Sequence, residues 1–463
     1  IPRSGRMLVD ALLFGTDGLI GKARQDGSLD QLVNVASLPG IAYPAMAMPD
    51  IHRGYGFPIG GVAATDWEGG VISPGGVGYD INCGVRLYVF RHDAERFLSS
   101  LDRLLSRLFE EVPSGVGSTG GIRLSSCDFE SVLEQGSAWA AGKGYGHARD
   151  LESTEDGGVL EGAGAGSVSN RALERGRCEL GTLGSGNHFA EIGLCDMAFE
   201  PAAGRLSLTE GLFSVSVHCG SRGLGHQVCD DYIGSFMKSF PPDRMGLPDR
   251  ELVCAPLSSD AGRKYLSAMR AAANYAYANR QIVGELVRRS IEKALGRSPD
   301  GWRLVYDVAH NIAKEEIHVL EGGRRARVCV HRKGATRAFP AGREELSGRY
   351  RATGQPVIVP GSMGDGVWVM LPCQRALELT LGSSCHGAGR LMSRTAARRS
   401  GSSGSVVDSL RSRGILVAAA SRRSIVEERP SAYKSVDEVL SVMLSNGIAE
   451  KAAHFRPLVV LKG

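Results

Sequence analysis

The residues best suited to chemistry stand in short, glycine-flanked segments. In Gly76-Val77-Gly78-Tyr79-Asp80-Ile81-Asn82-Cys83-Gly84 a carboxylate and a thiol lie three residues apart, where a tight turn can aim both at one point. Both are metal ligands, and a thiolate can bridge two ions. Taken alone, the pair reads sooner as a buried structural cysteine beside a turn aspartate. Three histidines shift the balance. Phe213, Val215 and Val217 alternate with Ser214, Ser216 and His218, so the segment reads as a strand that breaks at Cys219-Gly220-Ser221-Arg222-Gly223. His310 closes a second strand-like run and is followed by Asn311; His188 follows Gly184-Ser185-Gly186-Asn187. A lone histidine at a strand end is more often a core or surface group. Together, Asp80, Cys83, His188, His218 and His310 are five candidate ligands, enough for one or two ions with positions left open for substrate.

Other segments carry nucleophilic or anion-binding character. His386 lies in Gly382-Ser383-Ser384-Cys385-His386-Gly387-Ala388-Gly389-Arg390, with space around its imidazole and a cation four residues on. Imidazole is a competent nucleophile toward phosphorus. Pro360-Gly361-Ser362-Met363-Gly364 offers turn N–H groups as a phosphate cradle. If 187–192 is extended, parity separates His188 from Asn187 and Glu191. Glu191 could then accept hydrogen bonds from N1 and the exocyclic amine of guanine; a surface glutamate on a half-exposed strand fits that spacing equally well. Lys462, after the apolar Leu458-Val459-Val460, could fold back into a site.

The elements that must position these groups read as mixed α and β without repeats. Helical spacing runs over 98–111, 261–295 and 436–453, and Arg280 is the one polar interruption in the stripe of the second. Strand-like segments fall at 85–91, 213–218, 303–310, 327–331, 357–359 and 367–371. Helices and strands do not alternate strictly, so the expectation is an α+β fold. Surface insertions are expected at 152–169 and 393–404, and because motifs lie on both sides of each, residues 1–463 read as one domain. The 62 glycines follow no collagen-like period. A net charge of +4 permits nucleic-acid binding without arguing for it. Ten cysteines without a CxxC pair read as reduced thiols. The N-terminus lacks an apolar leader and no apolar run reaches about 18 residues, so a soluble, cytoplasmic protein without a membrane span is expected.

In their order along the chain, Met48-Pro49-Asp50-Ile51-His52, DINCGVR, GTLGSGNHF, VHCGSRG, DVAHN, HRKGATRAFP, PGSMG, CHGAGR, AYK and Lys462-Gly463 resemble the RtcB family of RNA ligases. The resemblance implies a single compact α+β domain with mixed and antiparallel sheets around a central metal cleft. It implies joining of RNA 2′,3′-cyclic-phosphate or 3′-phosphate ends to 5′-hydroxyl ends, in tRNA splicing or RNA repair. GTP is the implied co-substrate, acting through a histidine–GMP intermediate and an RNA-3′-pp-5′-G end. The five ligands would hold two Mn²⁺, with Cys83 bridging, and His386 would carry the guanylate. Asn187, Glu191, Pro360, Gly361, Ser362, Met363, Gly387, Tyr433 and Lys462 would lie at or beside the nucleotide. Arg222 and Arg390 would clamp phosphates, and Asp50 matches an acidic position linked to activity. Implied partners are RNA ends such as tRNA halves and an archease-like activator. The K-x-D-G signature of lysine-dependent ligases is absent. One departure stands out: where the family commonly has a serine and an aromatic, this chain has Val367-Trp368, which removes one side-chain contact expected for guanine and points to altered nucleotide use. Thiolate and imidazole ligands alone would favour Zn²⁺. The rival reading is a dinuclear-metal phosphoesterase that opens cyclic phosphates without ligating.

Overall fold

The strand Gly84–Arg91 sends Val85, Leu87 and Val89 to one face and Tyr88 and Phe90 to the other, and both faces are buried. It lies inside an eight-stranded sheet of a computed structural model that describes the backbone of residues 1–463 and every side chain except that of Glu321. Across the sheet the order is Val357–Pro360, Val367–Pro372, Ala449–Lys462, Phe189–Ala198, Phe213–Cys219, Gly84–Arg91 and Asp300–Ala309, all antiparallel. Leu416–Ala419 runs parallel beside the end of Ala449–Lys462. Because both faces are covered, the polar side of Phe213–Cys219 is not wet: Ser214, Ser216 and His218 are buried with their apolar neighbours.

One face is covered by the 36-residue helix Asp260–Leu295, about 54 Å long at the usual rise. Ser259 caps it by accepting from Gly262 N at 3.0 Å, and Gly296 ends it in the left-handed region at φ 72°. Val283, Val287 and Ile291 pack on Phe213, Val215 and Val217. Burying each such side chain is worth about 1.5–3 kcal/mol, which holds helix and sheet in one register. A second, five-stranded sheet runs Ala11–Leu13, Ala45–His52, Ile59–Asp66, Arg325–Lys333, Asn311–Val319. Val439, Leu440 and Met443 of the helix Val436–Ser445 cover its Met46, Met48 and Val62. His310 is the corner residue between Asp300–Ala309 of the first sheet and Asn311–Val319 of the second. The two sheets and their helices form one α+β body, as expected.

Several local expectations shift. The helix expected at 98–111 is broken at Ser99-Ser100 into Ala94–Leu98 and Leu101–Glu111. That expected at 436–453 stops at Ser445, because Gly447 turns the chain at φ 65° and Ala449–Lys462 continues as a strand. The 152–169 stretch holds short helical turns and is anchored rather than peripheral. Its Glu155 is fully buried and accepts from Ala309 N (2.8 Å) and Lys314 Nζ (2.5 Å). The 393–404 stretch contains the helix Arg394–Arg399 and is largely exposed. Among the described residues no disulfide forms, and no helix is long and apolar enough to cross a membrane.

Candidate active site

Antiparallel neighbours place the start of one strand beside the end of the next. Four adjacent strands therefore bring four candidate ligands to one rim. His188 immediately precedes Phe189–Ala198, His218 is the penultimate residue of Phe213–Cys219, Cys83 immediately precedes Gly84–Arg91, and His310 immediately follows Asp300–Ala309. The register aligns them: Phe189 opposes His218, His218 opposes Val85, and Gly84 opposes Ala309.

At this rim Cys83 Sγ lies 3.4 Å from His188 Nε2 and 3.3 Å from His218 Nε2. His218 Nε2 lies 3.2 Å from His310 Nε2, and His188 Nε2 lies 2.8 Å from Asp80 Oδ2. Two ligand triads result, Cys83–His218–His310 and Asp80–Cys83–His188, and Cys83 belongs to both. Donors bound 2.0–2.3 Å from one tetrahedral ion stand roughly 3.3–3.6 Å apart, so these spacings suit ion binding. The Leu183 carbonyl accepts from His188 Nδ1 (3.0 Å), which leaves Nε2 as the lone-pair nitrogen facing the triad. Asp80 Oδ1 is buried without a protein partner, as expected of a ligand oxygen. Gly220 makes room for it: a Cβ there would stand 2.3 Å from Asp80 Oδ1. Burial pulls the pKa of His218 and His310 well below the ordinary value, keeping both in the neutral form that binds metal. Burial opposes ionisation of Asp80, but His188 and Arg222 outweigh it and hold the carboxylate charged. Burial and Asp80 push the Cys83 thiol up, so a metal must displace its proton.

The middle of the long helix holds these loops in place. Arg280, fully buried, donates to Asn82 O (2.6 Å), Cys219 O (3.1 Å) and Asp307 Oδ1 (2.8 Å), touching the segments that carry Cys83, His218 and His310. Beside it, Asn279 accepts from Gly181 N (2.8 Å) and donates to Gly220 O (3.3 Å), tying down the loops before His188 and after His218. Asn311 donates to Asp80 O (3.1 Å) and accepts from Gly334 N (2.8 Å). Arg280 was legible as an oddity in an apolar stripe; Asn279 carried no such signal.

His386 faces the same cleft, its ring centroid 4.9 Å from that of His310. Its Nδ1–H donates to Asp50 Oδ2 at 2.6 Å, and its backbone N–H donates to the same oxygen at 3.0 Å. Asp50 is fully buried. This arrangement favours the tautomer with the proton on Nδ1 and leaves Nε2 as the nitrogen with a free lone pair. Gly389, at φ 72°, passes so close that a Cβ would stand 2.2 Å from Asp50 O, so the turn after His386 depends on glycine there.

The cleft measures about 310 Å³, and its wall includes Asp80, Cys83, His218, His310 and His386. Asn187, Glu191, Pro360, Gly361, Ser362, Met363, Gly387, Tyr433 and Lys462 line the same cleft, with Arg390. Lys462 Nζ donates to Asn187 O at 3.0 Å. Burial lowers its pKa to about 8, and burial raises that of Glu191 to about 8. Arg390 is engaged by Glu428 Oε2 (2.9 Å), Glu427 O (2.8 Å) and the Tyr433 ring. Glu428, Arg394 and Lys333 also line the cleft and were not foreseen as site residues. Glu428 had no motif to mark it, and Arg394 fell in the stretch expected to be a surface insertion.

Three expectations need correction. Arg222 is not among the lining residues; it stands 3.3 Å from His188 Nδ1 and donates to Thr182 Oγ1, behind the ligand rather than at a phosphate. The 360–364 turn spends three N–H groups internally, Gly361 N on Gly366 O, Ser362 N on Asp365 Oδ2 and Gly364 N on Ser362 Oγ, so those three are not free to cradle a phosphate. Val367 is fully buried in the core with Val369 and Phe455, so its side chain is directed away from the cleft.

A family model described as "tRNA-splicing ligase RtcB" matches residues 31–463. A tRNA-splicing ligase RtcB of Thermococcus kodakarensis is 50% identical over 461 residues, 99% of this chain and 95% of its own. That of Archaeoglobus fulgidus is 48% identical over 468 residues, 100% of this chain and 97% of its own. An RNA-splicing ligase RtcB of Mycobacterium tuberculosis is 48% identical over 437 residues, covering 94% and 100%. With the matched model spanning nearly the whole chain and such relatives aligned end to end, this protein belongs to the RtcB family.

Proposed function

We propose that the chain is a GTP-dependent RNA ligase that joins 3′-phosphate or 2′,3′-cyclic-phosphate ends to 5′-hydroxyl ends, as in splicing of tRNA halves or RNA repair. The observation that carries this reading is His386, oriented by Asp50, facing a cleft whose wall carries Asp80, Cys83, His218 and His310 of two ligand triads that share one cysteine. A phosphoesterase could use this imidazole only as an acid or base, whereas covalent guanylylation needs its free nitrogen as a nucleophile, and labelling by GTP separates the two.

Asp80, Cys83, His188, His218 and His310 would hold two divalent ions, Mn²⁺ by family likeness, which supply charge screening at phosphate oxygens. His386 Nε2 attacks the α-phosphorus of GTP; the bond to the bridging oxygen breaks and pyrophosphate leaves. Asp50 accepts from Nδ1–H, keeping that proton on the ring, and stabilises the charge that develops there. Glu191 accepts from the guanine edge, while Lys462, Arg390 and Arg394 balance phosphate charge. A cyclic end is first opened by water to the 3′-phosphate. An oxygen of that phosphate then displaces His386 from the guanylyl phosphorus. The 5′-hydroxyl attacks the activated 3′-phosphate, loses its proton, and expels GMP. The test is incubation with α-labelled GTP and Mn²⁺, followed by mass measurement of the protein. A covalent guanylate on wild type that is absent from His386→Ala is expected; full labelling of that variant would assign the nucleophile elsewhere.

A further inference from the structure

A second cavity of about 240 Å³ opens where Arg149, Arg303 and Arg349 converge beside Tyr350 and Ser153. Arg303 lies on the strand Asp300–Ala309, seven residues before His310. At the usual strand rise this is about 23 Å from the metal rim, so the cavity is separate from the cleft. The three guanidiniums are only partly engaged. Arg303 Nη2 donates to Leu206 O (3.1 Å) and Ser207 O (2.6 Å), but its Nη1 is buried without any hydrogen-bond partner. Arg149 donates to Trp302 O (3.1 Å) and Arg349 to Tyr350 OH (2.8 Å). Among the described residues, none of the three forms an ion pair.

The nearby carboxylates do not answer this charge. Asp150 lies 3.6 Å from Arg86 Nη2 and accepts from Gln281 Nε2 (3.0 Å) and His147 N (3.1 Å). Glu152 is exposed at the cavity edge. Burial, then the adjacent Arg349, then Arg91 lower the Arg303 pKa, the mark of cations crowded without a counter-charge. A buried guanidinium nitrogen with no acceptor is costly unless something supplies one.

We propose that this cavity is a second phosphate-binding site, occupied by a backbone phosphate of bound RNA or by free phosphate. Planar guanidinium forks match the oxygens of a phosphate group, and convergent cations around a small polar space favour a compact oxyanion. Only the RNA source rests on the ligase reading.

Inorganic phosphate is titrated into the full chain and followed by phosphorus NMR, using wild type, Arg303→Gln, and a double Arg149→Gln/Arg349→Gln variant. The double variant alters exposed side chains without ion pairs, so it tests the site even should Arg303→Gln fold poorly. The expected result is at least about a tenfold weaker phosphate site in the double variant, with guanylate labelling unchanged. In parallel, affinity for a single-stranded RNA is measured against salt. A slope shallower by about one unit per lost contact assigns the ligand to RNA backbone. An unchanged slope with weakened phosphate binding assigns it to the free anion. Phosphate and RNA binding both equal to wild type in the double variant overturns the site. RNA that fails to bind wild type would sink the ligase reading instead, and the phosphate titration would still decide the cavity.

Discussion

Two carboxylates bear on the cleft, Asp50 from behind His386 and Glu191 from its wall, and their surroundings separate them. Asp50 is tied to the Nδ1 and backbone N–H groups of His386. Asp50→Asn presents an amide that can stabilise the wrong ring tautomer, so single-turnover guanylylation should fall by about 10²–10⁴ with GTP affinity little changed. A loss under threefold would remove Asp50 from the chemistry. The Glu191 carboxylate takes no hydrogen bond from protein among the described residues, and burial raises its pKa to about 8. At pH 7 it is mostly protonated in the free protein, whereas the proposed contact with a guanine edge needs it ionised. Guanine nucleotide binding should therefore release a proton and weaken about tenfold for each pH unit below 8. Calorimetric affinities from pH 6 to 8 should show this slope in wild type and a flat profile in Glu191→Gln; the same slope in both would detach Glu191 from the base. At this scale the sequence was most informative. Asp80, Cys83, His188, His218 and His386 stand in or beside glycine-rich turns, and His310 ends a strand-like run before Asn311, all chemically conspicuous residue types in such settings. Val367 was misread because its facing is set by pairing with Pro360 and Phe455, which local sequence does not specify.

At the scale of elements, the long helix is both scaffold and clamp. Its apolar stripe was legible from periodicity, and its span was foreseen to within one residue. The strand Ala449–Lys462 was partly misassigned to a helix, because an apolar run after a helix does not reveal where the helix ends. Nor was it legible that one helical turn would reach three ligand segments, since those contacts bridge up to 198 residues of chain. Arg280→Ala should leave the ligands in place chemically but unsupported, weakening metal affinity about 10–100-fold, as for other groups that orient ligands. Arg280→Lys, which keeps the charge but loses the fork, should fall between. Breaking a buried pair also costs about 3–5 kcal/mol in stability, so Arg332→Ala, which breaks the buried Arg332–Glu316 pair at 2.5 Å, is the control. The control should melt early with unchanged affinity for Co²⁺ read by its absorption; equal loss of affinity in both variants would reduce Arg280 to a purely structural residue.

For the whole molecule, the site exists only when distant segments meet: Asp50, Cys83, His310, His386 and Lys462 span nearly the full chain. Metal binding free energy is then also folding free energy, because the unfolded chain offers no assembled triad. Each ion at free concentration 100 times its dissociation constant should add about 2.7 kcal/mol of stability. The shared sulfur makes the two contributions separable. Asp80→Ala removes a ligand from one triad and His310→Ala from the other, so each should retain one tightly bound ion and about half of the stabilisation. Cys83→Ser removes the ligand common to both triads and replaces it with an alcohol that does not ionise near neutral pH, so it should lose both ions together. Elemental analysis after gel filtration, paired with thermal melts with and without Mn²⁺, reads the stoichiometry and the stabilisation in one set of samples. Retention of two ions and the full melting shift by Cys83→Ser would mean that the triads do not share their sulfur in binding, and with that the reading of the rim as a bridged pair would fail.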